Sequence, residues 1–219
     1  CVKGMEIIGI IDYGSGNIHS ATKAFENVAK DLKKEIKILR IHNVADIKLC
    51  DRIVLPGVGA FKDCKAGLVN IDGLVPTLEK KILDEGAPFL GICVGMQLLA
   101  DIGFEGGTTP GFGWIPGVVD KIPTTAGLKI PHMGWNTIKF NRAHSIFNGF
   151  ENKGETIVYF VHSYHFQVKK MEDLLGICDY GSEITAIIGK DNIIGCQFHP
   201  EKSQKIGLKF IKNFINWSP

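Results

Sequence analysis

Cysteine, histidine and glutamate can together build a covalent acyl-transfer site, and this chain carries all three at telling spacings. Phe89-Leu90-Gly91-Ile92-Cys93-Val94-Gly95-Met96-Gln97 sets a cysteine between an apolar strand and the start of a helix, with glycines two residues before and two after. This is the layout of a nucleophile elbow with cysteine in the place of serine. A tight strand-to-helix turn crowds its neighbours, so the flanking positions have no room for side chains. The turn puts the sulfur at a helix N-terminus, where unpaired N–H groups and the macrodipole favour a thiolate. It also aims the Val94 amide at the reacting carbonyl as one oxyanion donor. A lone cysteine in an apolar run is usually just buried; the glycine spacing reverses that reading here.

The base comes from Cys196-Gln197-Phe198-His199-Pro200-Glu201, where a histidine ends an apolar strand and a carboxylate follows two residues on. A nucleophilic cysteine needs a general base, and the base needs an acceptor that sets its tautomer. Pro200 holds the backbone between the two extended. Alone, His-Pro-Glu would more often be a surface turn; beside the elbow it completes a triad of Cys93, His199 and Glu201. A third segment, Leu55-Pro56-Gly57-Val58-Gly59-Ala60-Phe61, also follows an apolar strand. Its glycines free the backbone to present N–H groups to an anion, which suits the second half of an oxyanion hole, although a plain strand-to-helix turn would read the same way.

Positioning these groups calls for alternating strands and helices. Ile7–Ile11 reads as a strand buried on both faces, and Lys37–Ile41, Arg52–Leu55 and Pro88–Ile92 as further strands. Between them, Ala21, Ala24, Phe25 and Val28, then Asp63–Leu68, Thr77–Leu83 and Val94–Ala100, keep helical spacing. The second half is richer in strands: Thr156–Val161, Leu174–Cys178, Thr185–Ile188 and Ile193–Phe198, with a hairpin turn at Lys190-Asp191-Asn192. A closing helix would bury Leu208, Ile211, Phe214 and Ile215. Gly103–Gly113 reads as a loop. The expected fold is α/β: one three-layer domain with a mixed sheet, parallel at its centre and flanked by helices.

At 219 residues and 45% hydrophobic, the chain can bury a substantial core, and its formal charge of +2 gives no strong pull towards nucleic acid or acidic membrane. No apolar run approaches the roughly 18 residues of a membrane span. The six cysteines, Cys1, Cys50, Cys64, Cys93, Cys178 and Cys196, show no CxxC pair, so neither a metal site nor a disulfide framework is expected. Cys178 and Cys196 read as small buried hydrophobes. Cys1–Glu6 leads into a glycine-interrupted strand rather than a signal's apolar region, so a cytoplasmic location is expected. The chain opens on Cys1 rather than methionine; Cys1–Gly4 is taken as an appended remnant and 5–219 as the domain.

The three glycine- and triad-bearing segments resemble the class I, triad-type glutamine amidotransferases. Within that class the chain is similar to the glutaminase subunits of imidazole glycerol phosphate synthase, in histidine biosynthesis. Asp12-Tyr13-Gly14-Ser15-Gly16-Asn17, Pro131-His132-Met133-Gly134-Trp135-Asn136, Tyr159-Phe160-Val161-His162-Ser163-Tyr164 and His199-Pro200-Glu201-Lys202-Ser203-Gln204 carry that likeness, in order, from Met5 to the final helix. The resemblance implies that Cys93 attacks the side-chain amide of glutamine, forming a thioester that water resolves to glutamate. It implies glutamine contacts at Gly57, Gln97, Ser163 and Tyr164, and a Gly57–Val58 peptide that reorients when the partner is loaded. It implies a (β/α)8-barrel cyclase as partner in a heterodimer, met at Asn17, Trp135 and Lys202, to which ammonia is channelled. There it would yield imidazole glycerol phosphate and an aminoimidazole carboxamide ribotide. No cofactor is implied. The Tyr13–Asn17 loop lacks both GxGxxG and a P-loop lysine, so no nucleotide site is expected there. Alternatives are a glutaminase subunit for anthranilate or GMP synthesis, a stand-alone γ-glutamyl cysteine hydrolase, and a module with a decayed triad.

Overall fold

A computed structural model describes residues 4–123, 127–150 and 156–219; Cys1 to Lys3 of the expected remnant lie outside the described residues. The first strand, β1 (Glu6–Ile11), carries isoleucine on both faces, as a strand covered on both sides must. Helix α1 (Ile18–Asp31) starts where the Asn17 side chain accepts the Ser20 N–H, and it buries Ala21, Ala24, Phe25 and Val28. There follow β2 (Ile36–Ile41), α2 (Val44–Leu49), β3 (Arg52–Gly57), α3 (Phe61–Val69), α4 (Leu74–Glu79), β4 (Phe89–Cys93) and α5 (Val94–Gln97). The remaining strands are β5 (Ile102–Gly103), β6 (Thr109–Pro110), β7 (Gly117–Lys121), β8 (His132–Phe140), β9 (Ile157–His162), β10 (Tyr164–Val168), β11 (Leu174–Asp179), β12 (Glu183–Lys190) and β13 (Ile193–Cys196). Helix α6 (Gln204–Asn216) closes the chain.

Nine strands form one sheet in the order β2-β1-β3-β4-β13-β12-β11-β8-β9. It is parallel from the β2 edge through β13, then antiparallel to the β9 edge. The step from β1 out to β2 and the steps back to β3 and β4 run in opposite directions. Right-handed crossovers therefore send α1 to one face and α2, α3 and α4 to the other. α6 packs against α1, joined by the edge-to-face pair Phe25–Phe214 at 6.4 Å. Helices thus cover both faces of a mixed sheet in a three-layer α/β domain.

Several expectations change in detail. Helix α5 stops at Gln97 instead of Ala100, because the carbonyls of Leu98, Leu99 and Ala100 turn to accept N–H groups of Phe112, Ile115 and Gly113. The pattern over Thr77–Leu83 is the end of α4 running into a wide turn at Lys80–Asp84. Leu208 lies outside the inner face of α6; that face is Gly207, Phe210, Ile211, Phe214 and Ile215. Gly207 sits so close to Pro200 that a Cβ would fall 1.8 Å from its carbonyl oxygen, which locks α6 onto the residues just after His199. The Gly103–Gly113 stretch is not all loop. Its ends join a second sheet, β10-β7-β5-β6, that no periodicity announced.

Candidate active site

Strands β3, β4 and β13 are neighbours and parallel, so their C-terminal ends open on one edge, where open parallel sheets bind ligands. Gly57 lies opposite Cys93, and Ile92 opposite Cys196, which sets Gln197 beside Cys93. The three segments singled out in the sequence therefore meet at one place.

Cys93 adopts φ 54° and ψ −113°, a strained region for a residue with a side chain. The flanking glycines explain how the turn closes. A Cβ on Gly95 would lie 1.9 Å from the Leu55 carbonyl oxygen, and one on Gly91 would lie 2.6 Å from the Gly95 oxygen. The thiol is 3% exposed and accepts a hydrogen bond from Gln197 Nε2 at 3.6 Å.

His199 Nδ1 lies 2.7 Å from Glu201 Oε1, and both side chains are almost fully buried. The Nε2 atom of His199 is buried without a hydrogen-bond partner, free for the sulfur or a substrate. Burial alone would push this imidazole down. The Cys93 sulfur and the Glu201 carboxylate outweigh it and carry His199 up to about 10. A proton on the ring is therefore favoured by the sulfur and the carboxylate beside it. Ser203 fixes the backbone behind the ring, donating to the His199 carbonyl at 2.6 Å while accepting the Tyr159 N–H at 3.0 Å.

A cleft of about 410 Å³ opens over the sulfur, lined by Val58, Gly59, Val94, Gln97, Glu105 and the Val161–Tyr164 stretch, among others. That volume suits a small polar metabolite. A larger hollow of about 720 Å³ lies near β2 between Glu26, Lys30 and Ile38, with no cysteine, serine or histidine in its wall. Ser163 stands where the chain leaves β9 in the large sheet and enters β10 in the small one, so both sheets hold the cleft wall. Gly57 does not line the cleft; it is buried one residue behind Val58, where a Cβ would meet the Gly95 nitrogen at 2.8 Å. The Val58 carbonyl accepts the Ser15 hydroxyl at 2.7 Å, and the Tyr13 hydroxyl donates to the Pro56 carbonyl at 2.9 Å. The Tyr13–Asn17 loop therefore props the Gly57–Val58 turn from behind.

Two residues of the site carried no motif of their own. Glu105 sits on the small-sheet side of the cleft and accepts the Phe61 N–H through Oε2 at 2.9 Å, while capping α3. Gln197 is fully buried in contact with the sulfur, and its place beside His-Pro-Glu on a strand end could have drawn notice. The expected partner-facing residues divide. Trp135 is 51% exposed on β8 and packs edge-on against Tyr159 of β9. Exposed Lys202 reaches over the same Tyr159 ring, 6.0 Å from its centre. Met133 and Ile157 are exposed nearby on the same pair of strands. Asn17 has the structural duty of capping α1. Among the described residues no cluster of His, Cys, Asp or Glu is arranged to hold a metal ion, and no helix is long and apolar enough to cross a membrane.

Residues 10–217 match the family model described as glutamine amidotransferase class-I. The chain is 50% identical over 214 residues to the imidazole glycerol phosphate synthase subunit HisH of Mesorhizobium japonicum, covering 97% of this chain and 99% of that one. The HisH subunit of Rhodospirillum rubrum is likewise 50% identical with the same coverage. Among solved structures, a glutamine amidotransferase at 16% identity superposes with a TM-score of 0.69, covering 95% of this chain and 97% of the other. A glutamine amidotransferase from Thermotoga maritima, 15% identical, gives 0.62 over 98% and 84%. At those identities the structural likeness speaks for the fold alone.

Proposed function

The chain belongs to the class-I glutamine amidotransferases, among the HisH subunits of imidazole glycerol phosphate synthase, and on that premise we propose how its residues release ammonia from glutamine. The observation that carries the reading is Cys93 in the wall of the cleft, with the buried His199–Glu201 pair beside its sulfur. Residues 5–219 act as one amidotransferase domain.

Glutamine enters with its side-chain amide over Cys93. Glu105, with one carboxylate oxygen uncommitted, takes the substrate ammonium. Gln97, whose Nε2 is used by Tyr164 and Gln197, leaves its carbonyl oxygen for a substrate donor. Ser163 and Tyr164 supply the opposite wall. The thiolate attacks the amide carbon, and the Val94 N–H with one from the Gly57–Val58 turn receives the developing oxyanion. His199 gives its proton to the leaving nitrogen, so ammonia departs and a γ-glutamyl thioester remains. His199 then takes a proton from water, which attacks the thioester and frees glutamate and the thiol. Glu201 holds the ring in the tautomer both steps need.

HisH being one subunit of a synthase, the ammonia is destined for a second subunit, for which we propose a (β/α)8-barrel cyclase. Free ammonia is protonated in neutral water and loses its lone pair, so a closed passage between subunits preserves its reactivity. The exposed patch of Met133, Trp135 and Ile157 beside Lys202 is the docking surface, and it favours a paired enzyme over a stand-alone hydrolase. Asn17, at the start of α1, is a further residue for the partner to meet. Cys93→Ala in the assembled enzyme should abolish glutamine-dependent synthesis and leave ammonia-dependent synthesis intact. Loss of both would contradict this division of labour.

A further inference from the structure

Behind the cleft runs a line of buried polar groups that the reaction does not itself consume. The Tyr164 carbonyl lies 2.8 Å from His162 Nδ1, His162 Nε2 lies 2.9 Å from His132 Nδ1, and His132 Nε2 lies 3.2 Å from Asn136 Nδ2. The amide of Asn136 also donates to the Asp179 carbonyl at 2.8 Å. The two histidines are 6% and 2% exposed. His132 is stacked between Phe160 and Tyr180, with ring centres 4.7 and 4.1 Å away, so its plane is fixed.

This line has only one direction. A carbonyl can only accept, so His162 must carry its proton on Nδ1 and accept at Nε2. His132 must then donate from Nδ1 and accept from Asn136, whose amide orientation is set in turn by the Asp179 carbonyl. Burial pushes His162 down to about 3 and His132 to about 4, so both rings are neutral at working pH, as the line demands. At its other end the Tyr164 carbonyl accepts a second bond, from Gln97 Nε2 at 3.1 Å. The same nitrogen reaches Gln197 Oε1 at 3.1 Å, and Gln197 Nε2 ends at the Cys93 sulfur.

We propose that His132 is a positioning residue for glutamine hydrolysis, acting through His162 on the Tyr164 carbonyl and on the Gln97–Gln197 amides that orient the Cys93 sulfur. The inference rests on the glutaminase reading of the same cleft. It gives His132 a duty without contact to substrate: removing its N–H frees His162 to take the other tautomer, which turns a lone pair towards the Tyr164 carbonyl. The substrate-holding wall and the amide pair at the sulfur then lose their common anchor. The line starts on β8, the strand that also presents Trp135.

The test compares His132→Phe with His132→Asn in the assembled enzyme. Phenylalanine keeps the stack between Phe160 and Tyr180 but removes the donor; asparagine gives up the stack but keeps an N–H near the Nδ1 position. In His132→Phe, kcat/KM for glutamine should fall about tenfold, the factor one ordinary hydrogen bond carries, mostly through a raised KM. His132→Asn should recover most of it despite a lower melting temperature. Wild-type kcat/KM in His132→Phe, or an asparagine variant more impaired than the phenylalanine one, would overturn the proposal. Should His132→Phe not fold, nitrogen-15 spectra of the wild-type histidines decide: both rings should be neutral with the proton on Nδ1, and a His162 protonated on Nε2 would overturn it. A wild-type enzyme that releases no glutamate would remove the reaction and this inference with it. Normal wild-type turnover beside an unimpaired His132→Phe would remove the inference alone.

Discussion

Three side chains at the sulfur are held by different kinds of force, and this decides which substitutions should matter. Cys93 is held by a strained turn, His199 by a sulfur and a carboxylate that overcome its burial, and Gln197 by a second amide. Glu105 differs from all three, since it sits half-exposed in the cleft with one oxygen committed to the Phe61 N–H. Glu105→Gln should therefore raise KM for glutamine roughly 10- to 100-fold, the loss of a charge-assisted bond of about 1.5–3 kcal/mol. Its kcat should change little, because the proposed pose puts the carboxylate at the substrate's unreactive end. Steady-state kinetics of the assembled enzyme checks this, and an unchanged KM would remove Glu105 from the site. Cys93, His199 and Glu201 were legible in the sequence because each stands inside a short segment whose neighbours announce it. Glu105 was not: it follows the elbow in a glycine-threonine stretch, and only the two-residue strands β5 and β6 bring that stretch to the cleft. Strands that short carry no period.

The elements built most tightly around the site are β3, β4 and α5, which touch where side chains would normally stand. Gly95 faces the Leu55 carbonyl so closely that an added methyl would sit 1.9 Å from the oxygen, a clash between backbone segments that no rotamer relieves. Gly95→Ala should cost about 3 kcal/mol or more, at or beyond the usual range for overpacking. A lower urea midpoint at unchanged slope would show it, and a wild-type midpoint would mean that the elbow closes differently. The parallel half of the sheet was readable because its strands are short runs rich in isoleucine, valine and leucine. The strands β7, β8 and β10 were not. β8 alternates buried His132 with exposed Met133 and Trp135, so its apolar residues do not all face the core, and β7 and β10 belong to the small sheet. Helix α5 was overextended because its apolar spacing continues to Ala100, whereas tertiary hydrogen bonds from Phe112 to Ile115 unwind it.

Across the molecule, buried neutral histidines make the fold sensitive to acid. His132 and His162 are lowered by burial to about 4 and about 3, against roughly 6.5 in an unfolded chain. Between those values the unfolded chain binds more protons, so their contribution to stability is complete above about pH 6.5 and is lost as the pH falls towards 4. Thermal unfolding should show the melting temperature dropping over that window, and His132→Phe should drop less steeply. Equal slopes would place the acid sensitivity elsewhere. The exposed face of β8 and β9 carries the other property proposed for the whole chain, dependence on a second subunit. The most informative single measurement is glutamate release from glutamine, by this chain alone and with the synthase's second subunit and its phosphorylated ligand. Strong release in the complete mixture, far above that of the isolated chain, is the expected result. Equal release with and without the second subunit, or none in any mixture, would contradict a partner-dependent glutaminase built on Cys93.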